Sequence, residues 1–411
     1  MQGFTTRAIH LKKAARDPHG SLRMPIYDSA AFEFESAQDF VEVAKGKKSK
    51  HLYTRLSNPT VEDYELHIKS LSGALGVIAT GSGMSAITTA ILTLVRAGDT
   101  VLTTSCLFGH TLSFFQNTLP NLGIKVKFVD MLDLDAAAQA FDPTVRMVFV
   151  ETISNPQLEI ADIAGLSALA HKNGAVLVAD TTATPLYLFD AKKFGVDIEV
   201  LSSTKFISGG GTSLGGLIID HGVFEWKSLE IMRKNVAKAG HFAFIHRART
   251  EIFQNFGGIL SPHNAYLQTL GLETMALRID RACANTYELA RWLEQQSVQG
   301  RVQAVNYPLL DSSRFGELAR RQFGTGGAIL TFELPDENEA IAFMDKLQII
   351  RRATNIHDNK SLIVSPYFVI FPNNTHEERV ALGIKPNMMR LAVGIEDIAD
   401  LKEDIAQALE A

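Results

Sequence analysis

A lysine that follows a short apolar run is the first candidate for chemistry in this sequence. Residues 198–201 favour a buried strand. Ser202, Thr204 and Lys205 follow this run directly, just before a glycine-rich turn. Open α/β sheets keep their functional groups at the carboxyl ends of their strands. We therefore expect Lys205 at such an edge, where its amine can act as a nucleophile or a base.

A carboxylate in the same kind of setting lies upstream. The apolar run 175–179 ends in Asp180, so a second buried strand should deliver this side chain to the same edge. The pair suits pyridoxal phosphate, because the lysine can form a Schiff base with it and the aspartate can keep its ring nitrogen protonated. Hydroxyls of Ser202 and Thr204 could hold the cofactor phosphate. The alternative is that Lys205 caps a strand and pairs with a nearby carboxylate.

The composition is that of an ordinary globular protein. A chain of 411 residues exceeds what one core normally supports, which predicts a large and a smaller domain. A net charge of −5 argues against general nucleic-acid binding, and no apolar run is long enough to cross a bilayer. The two cysteines are too few for a disulfide framework or a cysteine-built metal site, and we predict no metal. The first residues lack the order of a signal peptide, which favours a cytoplasmic location.

From residue 76 onward, strand and helix patterns alternate. The predicted strands are 76–80, 100–104, 126–129, 146–150, 175–179, 198–201 and 213–220, the last of them possible in the antiparallel sense. The predicted helices between them are 84–96, 111–119, 133–141 and 161–173. Such units imply a largely parallel sheet covered on both faces. Helical patterns within 265–296 and strands at 326–332 and 389–393 predict a smaller α+β part.

The loop after the first predicted strand has two functional interpretations. Gly81-Ser-Gly-Met-Ser-Ala86 matches the G-x-G-x-x-A form of a dinucleotide-binding loop. That site also needs an acidic residue at the end of the next strand, whereas Asp99 precedes that strand. Glycines before a helix expose backbone N–H groups to any anion, including a cofactor phosphate. A nicotinamide-dependent dehydrogenase and a purely structural loop are the alternatives to phosphate binding.

Three further side chains are predicted near strand ends or on a strand. Phe108 could stack over a planar ring, or could belong to the core. Asn155 could bond to a ring hydroxyl, or could simply form an Asn-Pro turn. Arg390 lies among apolar residues and could hold a carboxylate with two parallel hydrogen bonds, or could form a structural ion pair.

Together these residues resemble the Cys/Met-metabolism family of pyridoxal-phosphate enzymes. The resemblance extends over nearly the whole chain through Tyr53-Thr-Arg55, Asn58-Pro-Thr60, Gly81-Ser-Gly-Met84, Glu151-Thr-x-x-Asn-Pro156, Asp180-Thr-Thr182, Ser202-Ser-Thr-Lys205 and Arg390-Leu-Ala-Val-Gly-Ile-Glu396. Three further segments resemble the O-acetylhomoserine sulfhydrylase branch of the family, namely Leu260-Ser-Pro-His-Asn-Ala265, Gly271-Leu-Glu-Thr274 and Asn355-Ile-His-Asp-Asn-Lys-Ser-Leu362.

The resemblance implies an α/β fold of the aspartate-aminotransferase type, which is fold type I of these enzymes. A large domain with a mostly parallel sheet would occupy residues 61–255, and a smaller α+β domain would occupy residues 256–411. Residues 1–60 would form an arm that reaches a neighbouring subunit. The implied assembly is a homotetramer built as a dimer of dimers.

The resemblance also implies roles for single residues. Lys205 would hold the cofactor and move protons, Asp180 would hold the ring nitrogen, and Phe108 would stack on the ring. Asn155 would touch the ring hydroxyl. The phosphate would be bound by Gly83, Met84, Ser202 and Thr204, with Tyr53 and Arg55 from the neighbouring subunit. The substrate would be held by Asn355, Arg390 and Tyr53.

The implied activity is γ-replacement, in which O-acetylhomoserine and a sulfur donor give homocysteine and acetate in methionine biosynthesis. The donor could be sulfide, a small thiol or a sulfur-carrier protein. Elimination of the methionine γ-lyase or cystathionine γ-lyase type, and a cystathionine synthase, are the alternatives within the family. The sequence departs from the family pattern at four places: Phe108 replaces a tyrosine, Thr181 an asparagine, His357 a glycine, and Ile370-Phe371 a Thr-His pair.

Overall fold

The apolar runs between residues 76 and 220 pair into one seven-stranded sheet in the computed structural model, which describes residues 2–11 and 17–410. Its strands are β1 (Gly76–Thr80), β2 (Thr100–Thr103), β3 (Lys125–Phe128), β4 (Val145–Glu151), β5 (Val176–Asp180), β6 (Ile198–Leu201) and β7 (Gly216–Asp220). Every residue of β1, β2, β6 and β7 is buried. Such continuous burial is typical of a sheet covered on both faces.

The order of the strands across this sheet is β1-β7-β6-β5-β4-β2-β3. Strand β7 runs antiparallel to both of its neighbours, and the other pairings are parallel. The predicted parallel sheet with one antiparallel strand is therefore confirmed. Because β2, β4, β5 and β6 point the same way, the loops that follow them meet at one edge of the sheet.

Helices cover this sheet and continue into the second part of the chain. They are α1 (Phe4–Ile9), α2 (Ala37–Ala44), α3 (Pro59–Ser72), α4 (Gly83–Leu94), α5 (Gly109–Ser113), α6 (Leu119–Asn121), α7 (Leu134–Gln139), α8 (Ile163–Lys172), α9 (Arg233–Ala239), α10 (Ala243–Arg247), α11 (Gln254–Phe256), α12 (Pro262–Glu273), α13 (Met275–Val298), α14 (Gly316–Phe323), α15 (Glu339–Lys346), α16 (Pro366–Val369), α17 (His376–Ala381) and α18 (Ile398–Glu410). Within the described ranges, no helix is both long enough and apolar enough to cross a membrane.

The structure interrupts the predicted helix at 111–119. It is split into α5, a π-helical turn at Phe114–Thr118, and α6. Pro120 has no backbone N–H, so it cannot donate to the carbonyl of Gln116 as a regular helix requires. The wider turn accommodates this missing bond.

A second sheet of five strands forms the smaller α+β part. Its strands are β8 (Ala304–Asn306), β9 (Ile329–Glu333), β10 (Arg351–Arg352), β11 (Leu362–Val364) and β12 (Met388–Ala392), in the order β10-β11-β12-β9-β8. The β10–β11 pair is parallel and the other pairs are antiparallel. The predicted strands at 326–332 and 389–393 are confirmed as β9 and β12. The central position of β12 fixes Arg390 in the interior.

The amino-terminal segment is ordered where it is described, and residues 1 and 12–16 of the predicted arm lie outside the described part. The Asn58 side chain ties this segment down, because it donates to the Tyr27 carbonyl at 2.8 Å and accepts from the Thr60 N–H at the start of α3 at 3.0 Å. The division of the chain into 1–60, 61–255 and 256–411 stays a prediction.

Candidate active site

A cavity of about 330 Å³ lies where β4, β5 and β6 end. It is lined by nine of the residues that the sequence predicts for the site, which are Gly83, Met84, Phe108, Asn155, Asp180, Ser202, Thr204, Lys205 and Arg390. Asn355 reaches the same place through a contact with Lys205. The first sheet and the second sheet both contribute side chains, so the site is complete only when the two sheets are packed together.

Lys205 lies in the cavity wall directly beyond the end of β6. Its ammonium group donates to Oδ1 of Asn355. The pKa of Lys205 is lowered to about 8, mainly by burial and also by the charge of Arg390, while the Asp358 carboxylate partly opposes the shift. An amine with this pKa is neutral in a sizeable fraction near neutral pH, so it can act as a nucleophile or take up a proton.

Two carboxyl groups stand side by side at the next two strand ends. Glu151 and Asp180 are direct neighbours in the register of β4 and β5. Burial raises the pKa of Asp180 to about 6, although the Thr182 N–H donates to its Oδ1 at 2.8 Å. Burial and the charge of Asp180 raise the pKa of Glu151 well above its usual value. A cationic ring nitrogen beside Asp180 would relieve this unfavourable burial of negative charge.

The amino-terminal end of α4 forms the third side of the cavity. Ser82 caps the helix, since its hydroxyl accepts from the Ser85 N–H at 3.1 Å. Gly83 packs so closely on Ser202 that a Cβ atom at residue 83 would lie 2.7 Å from the Ser202 Cβ. Glycine is thus what lets the helix N-terminus, with its free N–H groups, approach the hydroxyl of Ser202. This is an anion site of the kind that binds phosphate.

Thr204 belongs to the same end of the cavity and is held by Gly215, the residue just before the antiparallel strand β7. Its hydroxyl oxygen accepts from the Gly215 N–H at 3.0 Å, and it lies 3.2 Å from the Gly215 carbonyl oxygen. Ser202 is fixed through its backbone, whose N–H donates to Oγ1 of Thr182 at 2.8 Å. The two hydroxyl-bearing residues therefore stand on a rigid turn.

Phe108 supplies an apolar wall. Its backbone N–H donates to Oε1 of Glu151 at 2.7 Å, which fixes the start of α5 to the end of β4. The segment around Ile370 packs behind it, since a Cβ atom at Gly109 would lie 3.2 Å from the Ile370 carbonyl oxygen. Phe371 is buried in the hydrophobic core, 2% exposed. The Ile370-Phe371 departure thus supports the Phe108 loop with apolar packing.

Arg390, on β12 of the second sheet, also lines the cavity. Its side chain is completely buried, and it donates to Oδ1 of Asn155 and to the carbonyls of Thr354 and Asn355, each at 3.2 Å. All of these partners are neutral, and Nε has no partner among the described residues. A buried guanidinium with neutral partners strongly favours the arrival of a carboxylate. Burial lowers the pKa of Arg390 to about 10, so the group still carries its charge at neutral pH.

Tyr53 and Arg55 are not part of the cavity of their own chain. Arg55 donates to the carbonyl of Gln254 at 2.6 Å, and its guanidinium lies 5.6 Å from the centre of the Tyr53 ring. The Tyr53 side chain is 42% exposed. Their predicted contribution to a neighbouring subunit stays a prediction.

The structure adds two features that the sequence analysis did not assign. The first is Glu151, which stands next to Asp180. The sequence carries a signal for it, because an acidic residue ends the apolar run of β4 just as Asp180 ends that of β5. Thr181, which replaces the family asparagine, donates to the buried carboxylate of Glu199, and His221 contacts the same carboxylate at 3.0 Å. This network lies behind Asp180 and explains the threonine at residue 181, whose hydroxyl bonds to the buried Glu199 carboxylate.

The residues present fit pyridoxal phosphate. A lysine of lowered pKa, a buried acid in need of a cation, and an anion site backed by Gly83 line the same cavity, next to the aromatic wall of Phe108. These are the groups that the cofactor requires for its aldehyde, its ring nitrogen, its phosphate and its ring face. Fold and site together define the class of pyridoxal-phosphate enzymes with an α/β fold.

Comparison with known proteins supports this class and narrows it. Residues 5–410 match the model of the Cys/Met metabolism PLP-dependent enzymes, and the chain belongs to this family. The L-methionine gamma-lyase of Pseudomonas putida is 37% identical over 413 residues, which cover 100% of this chain and 98% of that protein. The O-acetyl-L-homoserine sulfhydrylase of Leptospira meyeri is 34% identical over 427 residues, covering 98% and 96% of the two chains.

Two solved structures are similar over their whole length. The O-acetylhomoserine sulfhydrylase of Wolinella succinogenes is 55% identical with a TM-score of 0.81, and the match covers 99% of this chain and 100% of that one. A putative O-acetylhomoserine (thiol)-lyase of Campylobacter jejuni is 30% identical with a TM-score of 0.92, covers both chains completely, and contains a pyridoxyl-lysine monophosphate. The predicted family, fold type and cofactor are confirmed.

Proposed function

We propose that this protein is an O-acetylhomoserine sulfhydrylase, which converts O-acetylhomoserine and a sulfur donor to homocysteine and acetate. The choice of reaction depends mainly on one observation, the 55% identity to the Wolinella succinogenes enzyme over 99% of this chain. The geometry is compatible with it, because the cavity combines a carboxylate-binding arginine with a lysine that can move protons. We place the reaction in methionine biosynthesis, since homocysteine is the direct precursor of methionine.

The substrate would be held by its carboxylate. Arg390 can offer its guanidinium edge, because its present partners are neutral oxygens. Asn355 is placed beside it and also accepts from Lys205, so the same amide lies between the carboxylate site and the reacting amine. This arrangement would orient the amino group and the α-carbon of the substrate toward Lys205.

The cofactor would be held at the strand ends. Gly83, Met84, Ser202 and Thr204 would bind its phosphate, and Asp180 would hold the proton on its ring nitrogen. When bound, pyridoxal phosphate supplies an electron-accepting ring that stabilises negative charge on substrate carbon. Phe108 would cover one face of the ring and exclude water. Asn155 would donate its amide N–H to the ring oxygen, since its Oδ1 already accepts from Arg390.

Lys205 would carry most of the proton transfers. Its lowered pKa lets the neutral amine remove a proton from the α-carbon and later return it. Phe108 has no hydroxyl group, so it cannot share this task. The apolar lining by Phe108, Ile356 and Leu214 would keep the neutral amine shielded from bulk water.

A γ-elimination is the second candidate function. It is favoured by the 37% identity to the L-methionine gamma-lyase of Pseudomonas putida over the whole chain. The two reactions share their early proton transfers and differ in whether a sulfur nucleophile adds before the product leaves. The sulfur donor, which could be sulfide, a thiol or a carrier protein, therefore decides between them.

We further infer a homotetramer, a dimer of dimers, in which Tyr53 and Arg55 complete the phosphate site of a neighbouring subunit. The inference is supported by the exposed Tyr53 ring and by the position of both residues outside their own cavity. We place the enzyme in the cytoplasm, where the amino-acid precursors of this reaction are made. Residues 1–60 would form the exchanged arm of the assembly.

Product analysis tests the proposal. The purified protein loaded with pyridoxal phosphate is given O-acetylhomoserine with and without sulfide. We expect homocysteine and acetate in the presence of sulfide, and little product without it. Formation of 2-oxobutyrate and ammonia at the same rate in both samples would favour the elimination instead. Borohydride reduction followed by peptide mapping should place the cofactor label on Lys205.

A further inference from the structure

His357 has an unusual position next to the site. Its backbone φ is +54°, a conformation that is uncommon for residues other than glycine, although asparagine, aspartate and histidine adopt it more often than the rest. The residue is 2% exposed, and neither ring nitrogen has a hydrogen-bond partner among the described residues. The imidazole stacks on the Phe206 ring with a centroid distance of 4.0 Å and an angle of 20°.

The stacked pair joins the two halves of the substrate site. Phe206 is the residue after Lys205, and His357 lies two residues after Asn355. On the loop side, Asn355 accepts from Lys205 and its carbonyl accepts from Arg390. Polar contacts already join the loop 354–359 to Lys205 and Arg390 on the cavity side. The stack adds an apolar contact between this loop and the lysine segment, residues 205–206.

Stability alone does not explain a histidine here. A positive φ strains a residue with a Cβ atom, and an unpartnered buried imidazole has lost its hydrogen bonds to water without replacement. Glycine would adopt the same backbone with less strain. Burial and the charges of Lys205 and Arg390 hold the pKa of His357 well below its usual value. The ring thus adds a flat stacking surface without adding a third positive charge.

We propose that His357 is a positioning residue, whose ring stacks on Phe206 to hold the loop 354–359 against the lysine segment, so that Asn355 and Arg390 are preorganised for the substrate carboxylate. The inference depends on the proposed function in one respect, the amino-acid carboxylate as the ligand. The holding of the loop itself does not depend on the reaction.

Two substitutions separate the stack from the backbone conformation. His357→Asn and His357→Gly both tolerate the positive φ, but neither retains an aromatic ring. We expect the KM for O-acetylhomoserine to rise about tenfold, the loss that one buried aromatic pair can cause. The change in kcat should be much smaller, and the melting temperature should change little, because relief of the strained backbone partly offsets the lost stack. Phe194→Leu is the matched control, since it removes the stack of Phe194 on Phe189, 5.1 Å apart, away from the cavity, and it should leave KM unchanged.

Hydrogen–deuterium exchange gives a test that needs neither substrate nor turnover. In the apoprotein, the peptide that contains residues 354–359 should exchange faster in both His357 variants and at the wild-type rate in Phe194→Leu. Phe206→Leu, which keeps an apolar side chain at this buried position, should raise KM in the same way, and its combination with His357→Asn should add nothing further.

Unchanged exchange in the His357 variants, or fully additive effects of the two substitutions, would overturn the inference. So would a rise in KM that merely follows a lower melting temperature. Failure of the proposed function looks different, because the wild-type protein would then form no homocysteine while the exchange results would remain as expected.

Discussion

The two walls of the cavity are built in different ways. The wall that would hold the cofactor consists of consecutive strand ends of one sheet, with Asp180 and Lys205 placed by β5 and β6. The wall that would hold the substrate is assembled from the loop 354–359 and from Arg390 on the second sheet. The first wall is rigid by construction, whereas the second depends on contacts between residues far apart in sequence. We expect changes in the first wall to act mainly on kcat and changes in the second to act mainly on KM.

Lys205→Ala should give the largest effect. Without the amine, both the attachment of the cofactor and the proton transfers at the α-carbon are lost, so kcat should fall about 10³-fold or more. The fall in kcat is measured from the rate of homocysteine formation at saturating O-acetylhomoserine. The protein should keep its melting temperature as apoprotein, because a partly buried cation is removed. A variant with wild-type kcat would refute the assignment of Lys205.

Asp180→Asn should give the second largest effect. An amide cannot hold a proton on the ring nitrogen as a carboxylate does, so kcat should fall by about 10²- to 10³-fold with little change in KM. Glu151→Gln is the matched control, since Glu151 is the direct neighbour of Asp180 in the sheet and is assigned no contact with the ring nitrogen. Equal losses of kcat in the two variants would mean that both acids, and not Asp180 alone, support catalysis.

Arg390→Lys tests the second wall. A lysine keeps the charge but cannot form two parallel bonds to a carboxylate, so KM should rise by roughly 10- to 100-fold, the range for hydrogen bonds to charged groups. We expect kcat to change much less. A large fall in kcat with an unchanged KM would contradict the division of labour between the two walls.

The pH dependence of cofactor loading probes the first wall alone. The pKa of Lys205 is about 8, below the usual lysine value, because of burial and Arg390. The reactive neutral amine gains as pH rises, so the rate of pyridoxal phosphate attachment to the apoprotein should increase about tenfold per pH unit below 8 and level off above it. The reaction of pyridoxal phosphate with Nα-acetyl-lysine, followed in parallel by absorbance, is the reference. Its rate should keep rising past pH 9, because its ε-amine has the ordinary lysine pKa. A protein rate that rises in the same way would show an unperturbed lysine.

Phe108→Tyr should give the smallest effect. The residue lines the cavity beside both walls, and the added hydroxyl offers a second proton-transfer group next to Lys205. We expect kcat to change by less than about tenfold, with a new titration on the alkaline side of the pH profile. An unchanged profile in a variant that binds the cofactor normally would show that Lys205 alone serves these proton transfers.

The same contrast explains what the sequence could predict. Strand ends follow directly from apolar runs, so the placement of Lys205, Asp180 and the glycine loop at one edge is a local inference. The Arg390–Asn155 contact joins residues 235 positions apart, and no local pattern encodes such a distance. The stack of His357 on Phe206 likewise needs the packed structure.

Two differences from the predicted pattern have different physical origins, one local and one due to packing. The split of the helix at 111–119 follows from Pro120, whose effect on the preceding turn could have been expected from the sequence. The burial of Glu199 could not have been expected from the sequence. Its carboxylate is bonded by Thr181, which follows β5, and by His221, which follows β7, and neither partner is close to Glu199 in sequence.

The hydrogen bond between Arg390 and Asn155 has a thermodynamic consequence. Asn155 would contact the cofactor and Arg390 the substrate, so this one bond couples the two binding equilibria. Linkage requires the coupling to be reciprocal: if the bound cofactor tightens the binding of a carboxylate by some factor, the carboxylate tightens the binding of the cofactor by the same factor. In that case an unreactive carboxylate that lacks an amino group should lower the dissociation constant of pyridoxal phosphate, even though it never touches the phosphate.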